Sequence, residues 1–326
     1  MAHTIRDTDT NTIARSARTA ASQARKTRFK RYLPLFLMML PGLLYLLLNN
    51  YLPMFGLVIA FKNINFAQGI FGSDWVGMAN FEYLFKTSDA YIITRNTLLY
   101  NGAFIILNLV VAVAIAILLN EIRSKLMARF YQSIVLLPYL ISMVIVSYLV
   151  FSMLSVETGF MNKTLLPMLG LGDISWYSES RFWPYILTLV NVWKGVGFLC
   201  VVYLAAIIGI DHEYYEAATL DGASKWQQIR SITLPLISPV ITMMTLLAIG
   251  RIFYSDFGLF FQVPMDAGAL HSTTNVIDTY VYRGLMQLGD IGMSSAAGLY
   301  QSVVGFMLVI LSNYIVRTIN KDNALF

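Results

Sequence analysis

The chain has 326 residues, of which 57% are hydrophobic and 13% are charged, with a formal net charge of +5 and a mean hydropathy of +0.63. This composition excludes a water-soluble protein, because several uncharged runs exceed the ~20 residues that cross a bilayer. The basic residues are concentrated in the first 31 positions. The positive-inside rule explains that charge without nucleic-acid binding. We expect an all-α polytopic membrane protein.

Its six predicted spans begin after a polar, basic segment, residues 1–31, which we expect to be a disordered cytoplasmic tail. Residues 32–96 then contain the first span and an outer segment, and residues 97–320 form a core. The predicted spans are residues 33–60, 97–119, 133–155, 183–209, 236–257 and 293–316. Lys and Arg residues are most frequent on the side of the two termini, which predicts an N-in, C-in topology.

The segment between spans 4 and 5, residues 211–235, is polar although apolar spans surround it. Residues 213–220 favour a helix, and Gly222 follows as a stop signal. Ser224 is a suitable N-cap for a second short helix. We expect that helix to end before Leu234-Pro235, because a residue that precedes proline is disfavoured in the α region. The pattern predicts a helix-turn-helix elbow that a soluble partner could grip.

The elbow contains a familiar signature. The matching residues are Glu216, Ala217, Ala218, Asp221, Gly222, Ala223, Leu234 and Pro235. They resemble the E-A-A-x-x-x-G … I-x-L-P motif of ABC importer permeases of the maltose type. The resemblance implies that this segment is a coupling helix that docks on a cytoplasmic ATPase. Glu216 would make a polar contact there, although a first-turn acid also complements the helix dipole.

Further partners and cofactors follow from the same resemblance. It implies a heterodimer with a second homologous permease, two copies of the ATPase, and an extracytoplasmic solute-binding protein. ATP and Mg would be bound by the ATPase and no cofactor by this chain, which has no G-x-x-x-x-G-K-[ST] motif. The single cysteine and the three widely spaced histidines predict no metal site. The expected location is the inner membrane, as a multi-pass protein.

A second resemblance concerns the substrate. Gly77 and residues 80–85, NFEYLF, are similar to the G-x-x-N-F-x-x-L-F segment of sugar-importer permeases. This similarity implies transport of oligosaccharides or polysaccharide fragments.

Candidate residues of the solute pathway come from the spans of the C-terminal half, which line the cavity in similar permeases. Ionisable residues inside spans are costly and usually mark such pathways. The candidates are Asn191, Trp193, Lys194, Arg251, Tyr254 and Asp256. Alternatively, Lys194 and Arg251 snorkel or pair with local carboxylates. Two intramembrane cations favour an acidic glycan such as an oligouronide, although a neutral-sugar importer could carry both in a gate.

Two other function classes stay open at this point. An ion-coupled secondary transporter of a small solute is disfavoured, because the sequence has neither an inverted repeat of broken helices nor a carboxylate cluster within its spans. An intramembrane enzyme would need a nucleophile-base or metal constellation at span depth, and none is present. We therefore predict a transport subunit that is not itself an enzyme.

Overall fold

The computed structural model describes residues 32–319, so the predicted tail at residues 1–31 lies outside the described residues. The chain divides into two units, residues 1–58 and residues 59–326. We describe each unit by itself.

The described part of the first unit belongs to one helix, α1, Tyr32–Phe61, whose apolar side chains are almost all exposed. The helix changes from α to π winding at Leu47–Tyr51 and to 3-10 winding at Leu52–Phe61. The π turn precedes Pro53, which has no N–H to donate. The helix therefore passes Pro53 through a change of winding, without a break.

In residues 59–319, the described part of the second unit, the regular elements are helices and one two-stranded antiparallel sheet. Its elements in chain order are β1 (Lys62–Asn63), α2 (Gly69–Gly72), β2 (Asp74–Trp75), α3 (Ala79–Lys86), α4 (Ser88–Asn120), α5 (Lys125–Leu140), α6 (Met143–Leu154), α7 (Leu166–Met168), α8 (Trp183–Ile208), α9 (His212–Leu220), α10 (Lys225–Ile249), α11 (His271–Thr274), α12 (Ile277–Met286) and α13 (Ile291–Ile319). Short π or 3-10 turns lie between several of them.

Within residues 32–319, five helices are long and apolar enough to cross a membrane, namely α1, α4, α8, α10 and α13. Helices α5 and α6 together provide a sixth, but they are bent by 96°. The third span therefore starts earlier than residue 133 and is broken. Pro138 lies in the last turn of α5, and the Ser142 side chain caps the start of α6, so the sequence ends one helix and begins another.

The fifth span differs from the prediction at both ends. The helix after Ser224 does not stop before Leu234-Pro235, because Leu234 is helical (φ −61°, ψ −45°) and α10 continues to Ile249. A π turn at Ile229–Thr233 widens the helix just before Pro235 and accommodates its ring. At the other end, the predicted limit of residue 257 is wrong, since α10 ends eight residues earlier.

The core of the second unit is centred on α4 and α8. Ala112 and Ala116 are fully buried and pack in one apolar cluster with Cys200 and Tyr203. Small residues four apart on a helix allow close approach of another helix. Gly197 allows close contact between α8 and α5, because a Cβ on it would lie 2.2 Å from the Val135 carbonyl oxygen.

Candidate functional site

The elbow predicted between spans 4 and 5 is present and begins with a capped helix. The Asp211 side chain accepts a hydrogen bond from the Glu213 N–H (3.1 Å), which caps α9. The helix ends at Leu220, and Gly222, two residues beyond, has a φ of +79°, the left-handed conformation that glycine adopts without strain. The Ala223 N–H then donates to the Ala218 carbonyl (2.9 Å), which closes the helix end.

A capping box starts the second half of the elbow. The Ser224 Oγ accepts a hydrogen bond from the Gln227 N–H (3.4 Å), and the Gln227 Oε1 accepts one from the Ser224 N–H (2.7 Å). The prediction of Ser224 as an N-cap is confirmed.

Side chains lock the two halves of the elbow to each other. The buried Gln228 amide donates to Thr219 Oγ1 (2.9 Å) and to the Ala223 carbonyl (3.4 Å). The hydroxyl groups of Tyr215 and Thr233 lie 2.9 Å apart. These contacts join α9 directly to α10, the helix of the fifth span.

Apolar side chains project from the elbow. Leu220 is 89% exposed and Trp226 is 68% exposed. Beside them, a groove of about 480 Å³ is lined by residues that include Glu216, Thr219 and Leu220. Within residues 32–319 the Glu216 carboxylate forms no ion pair or side-chain hydrogen bond. Exposed apolar residues that surround a free carboxylate suit a protein partner with a matching groove.

The other candidate residues of the signature differ in exposure. Ala217, Asp221 and Gly222 are exposed, whereas Ala218 and Ala223 are half-buried at the turn. Leu234 packs against the α4–α8 core and Pro235 is exposed.

A cavity of about 210 Å³ lies among α4, α8, α10 and the chain that follows α10. Its lining residues are Asn101, Phe104, Ile105, Asn108, Leu109, Asn191, Leu199, Tyr203, Met244, Thr245, Ala248, Arg251, Ile252 and Tyr254. Three of the six pathway candidates, Asn191, Arg251 and Tyr254, are therefore brought together.

Amide groups form one wall of this cavity. The Asn108 Nδ2 donates to the Asn191 Oδ1 (2.8 Å). The Asn108 Oδ1 is buried and has no hydrogen-bond partner within the described residues. A buried acceptor without a donor costs free energy, so a ligand that supplies a hydroxyl would satisfy it.

Arg251 contributes the positive charge at the cavity. It follows the end of α10 and is exposed. Among residues 32–319 its guanidinium forms no hydrogen bond or ion pair. This cation is therefore free to bind an anion.

Lys194 lies elsewhere. Its ammonium group donates to the backbone carbonyls of Ile141 (2.5 Å), Tyr139 (3.1 Å) and Pro138 (3.3 Å), which flank the break between α5 and α6. Carbonyls at a helix C-terminus have no partner within the helix and attract a cation. Lys194 fills that role and does not line the cavity.

The remaining two candidates are also outside the cavity. Trp193 borders a separate apolar groove between α6 and α8. Asp256 is exposed, and its carboxylate accepts a hydrogen bond from the Leu259 N–H (3.1 Å). That bond caps the π turn at Gly258–Gln262.

Sequence reasoning missed Asn101 and Asn108, which line the cavity from α4. A signal was available. The two asparagines are seven residues apart in an uncharged span, which places them on one helix face. Polar side chains on one face of a span usually point towards a polar cavity.

Comparison with known proteins identifies similar chains. The polygalacturonan/rhamnogalacturonan transport system permease protein YteP of Bacillus subtilis (strain 168) is 34% identical over 288 residues, covering 88% of this chain and 89% of that protein.

Two solved structures have the same fold. A bacterial ABC transporter involved in the import of the acidic polysaccharide alginate matches with a TM-score of 0.83 and 33% identity, over 90% of this chain and 98% of that one. A bacterial alginate ABC transporter in complex with an alginate pentasaccharide-bound periplasmic protein matches with a TM-score of 0.81 and 34% identity, over the same shares.

The family model of binding-protein-dependent transport system inner membrane components matches residues 108–321. The match covers the elbow, the last four predicted spans and the cavity-lining residues from Asn108 onward. The chain belongs to this family and is a multi-pass inner-membrane permease of an ABC importer of the sugar-transporting type.

Proposed function

We propose that this permease carries acidic oligosaccharides, such as oligouronides, into the cell with energy from ATP. The observation that carries the proposal is the unpaired Arg251 guanidinium beside a cavity lined by amide groups. Guanidinium binds carboxylates through two parallel hydrogen bonds, and side-chain amides bind sugar hydroxyls. The alginate importer, whose permease has this fold, transports an acidic polysaccharide.

The cost of an unpaired cation supports an acidic substrate over a neutral one. A charge at the end of a membrane span is expensive unless it has a partner or faces water. A neutral-sugar cavity could bind the hydroxyl groups with amides alone. An arginine that has no carboxylate partner in the described part of the chain becomes useful when the substrate supplies the carboxylate.

For energy coupling, we propose that the elbow docks on a cytoplasmic ATPase. Its exposed Leu220 and Trp226 would enter a groove on that partner, and Glu216 would make a polar contact at the edge. ATP and Mg would be bound by the ATPase. The elbow would face the cytoplasm in an N-in, C-in topology, as the distribution of Lys and Arg predicts.

The proposed assembly contains a second homologous permease, two ATPase copies and an extracytoplasmic solute-binding protein. The similar alginate transporter was solved in complex with a periplasmic protein, which supports the last of these partners.

A pull-down tests the assembly. The complex is purified through this chain as wild type, as Gly222→Pro and as the control Gly170→Pro, and the copurifying proteins are identified by mass spectrometry. Both glycines have positive φ, +79° and +70°, and neither has an atom within 4 Å of an added Cβ. Proline cannot adopt that φ, so both variants strain a turn equally. We expect only Gly222→Pro to lose the ATPase.

The substrate is tested separately in proteoliposomes that contain the whole complex. An oligogalacturonate is compared with a neutral galactooligosaccharide of equal length, each with the solute-binding protein. We expect the acidic sugar to stimulate ATP hydrolysis and uptake. Equal or stronger stimulation by the neutral sugar would overturn the acidic substrate, and uptake that does not depend on ATP would overturn ATP-driven transport.

A further inference from the structure

The α10 helix ends at Ile249, and the N–H groups of Arg251 and Ile252 still donate to its carbonyls. The carbonyls of the residues that follow take their partners from other helices. Residues 250–257, which we call the wall segment, contribute Arg251, Ile252 and Tyr254 to the cavity lining. From α4, the Asn101 amide donates to the Ile252 carbonyl (2.8 Å) and to the Tyr254 carbonyl (3.3 Å).

Two further helices hold the same segment from the other side. The buried Gln301 amide of α13 donates to the Phe253 carbonyl (2.8 Å). The Asp278 carboxylate of α12 accepts a hydrogen bond from the Ser255 N–H (2.8 Å). Gln301 also donates to the same oxygen of Asp278 (3.1 Å), so one small network ties α12 and α13 to the wall segment.

Asp278 lies in the first turn of α12, where an acid complements the helix dipole. It is half-buried, and no Lys or Arg pairs with it in the described chain. The pKa of Asp278 is raised above its usual value, chiefly by burial and to a smaller extent by the charge of Asp256. The hydrogen bonds from Ser255 and Gln301 act in the opposite direction. The carboxylate is therefore held by hydrogen bonds and by the α12 N-terminus, without an ion pair.

We propose that Asp278 is a positioning residue for transport, which latches the cavity wall to α12 through Ser255 and Gln301. This inference rests on the proposed function. In the N-in, C-in topology, α12 belongs to the long outer segment, where the solute-binding protein delivers its ligand. Movement of α12 would release the Ser255 N–H, and the wall segment with Arg251 would move away from α4.

The latch makes the cavity wall and α12 a single two-state element. While the network is intact, the wall segment is fixed from three helices. Loss of the Asp278 acceptor leaves the Ser255 N–H unpaired and removes one contact of Gln301. The open state then becomes more populated, by about tenfold for one hydrogen bond to a charged group.

The test measures access to the cavity from outside. Cys200 is the only cysteine in the sequence, so Cys200→Ser with Thr245→Cys gives this chain a single reporter in the cavity lining, and labelling is measured on this chain after the subunits are separated. The complete complex in proteoliposomes is labelled with a membrane-impermeant maleimide. ATP hydrolysis without the solute-binding protein is measured in parallel, because a permease that opens without its trigger stimulates the ATPase.

We expect Asp278→Ala to raise both the labelling rate and the untriggered ATP hydrolysis by about tenfold. Asp278→Asn keeps an oxygen that can accept from Ser255, so it should stay within about threefold of wild type. Glu82→Ala is the matched control, since Glu82 is an exposed acid that pairs only with Lys86 and should change neither quantity.

Wild-type labelling and ATP hydrolysis in a normally assembled Asp278→Ala complex would overturn the latch. If Asp278→Ala does not assemble, Gln301→Met decides, because it keeps the carboxylate and should raise both quantities in the same direction. No rise in Gln301→Met would likewise overturn the latch. A wild-type complex that the binding protein does not stimulate would refute the proposed function instead, while the labelling rates still test the latch.

Discussion

Two breaks in the membrane-spanning helices differ in how their backbone groups are satisfied. At the break between α5 and α6, three carbonyls accept hydrogen bonds from the Lys194 ammonium. In the wall segment after α10, three carbonyls are satisfied by the neutral amides of Asn101 and Gln301. The adjacent cation there, Arg251, takes no part.

The difference shows that a cation within a span either satisfies backbone carbonyls or remains available to bind a solute. An ammonium that donates to three carbonyls has no donor left for a solute. Amide donors that satisfy the second break leave the guanidinium of Arg251 available. In the sequence, Lys194 and Arg251 are both cations within predicted spans. Their different roles come from the groups that surround each of them in the fold.

The largest loss of stability is expected from a substitution beside the break between α5 and α6. Gly197→Ala would place a Cβ 2.2 Å from the Val135 carbonyl oxygen and 2.9 Å from the Leu136 Cα, and backbone cannot easily move away. We expect a loss of about 3 kcal/mol in stability, measured by thermal unfolding of the purified complex. Gly298→Ala is the control, because nothing lies within 4 Å of its Cβ position. Equal unfolding temperatures of the two variants would contradict the close contact between α5 and α8.

Removing each cation in turn tests the comparison directly. Lys194→Met removes the ammonium from three carbonyls, and the Pro138 carbonyl keeps the Ile141 N–H as a donor, so we expect a loss of about 2 kcal/mol. Arg251→Met removes a cation without a protein partner and should change stability by less than about 0.5 kcal/mol. A larger loss of stability for Arg251→Met than for Lys194→Met would contradict the roles assigned to the two cations.

A substitution of Arg251 should also change which sugars are taken up. Arg251→Gln removes the guanidinium that would bind a substrate carboxylate, and we expect uptake of an oligogalacturonate to fall by about tenfold. Uptake of any neutral oligosaccharide that the complex accepts should change much less. Equal losses for the two sugars would mean that Arg251 acts on the opening of the cavity and not on the substrate charge.

The smallest loss of stability is expected at the wall segment after α10. Asn101→Ala removes the donor to the Ile252 and Tyr254 carbonyls, which can be reached by water from the cavity. We expect a loss of about 1 kcal/mol. Hydrogen exchange at the wall segment should increase while exchange at the α5–α6 break stays unchanged. A general increase across both breaks would indicate that they unfold together.

The sequence by itself determined the features that depend on local chemistry. Hydropathy located the spans, since length and apolarity alone decide which segments fit a bilayer. Ser224 as a helix cap and Gly222 as a stop were predictable, because a cap and a left-handed residue act on their immediate neighbours. The family signature lies in that same elbow.

Tertiary structure decided where the spans break and which polar residues meet. The α10 helix ends at Ile249 because donors from α4 and α13 satisfy the carbonyls beyond it, and Asn101 lies 151 positions from Ile252. Lys194 likewise reaches carbonyls more than 50 positions away. Hydropathy cannot report such partners, because an unpaired carbonyl in a membrane is tolerated only when another helix supplies the donor.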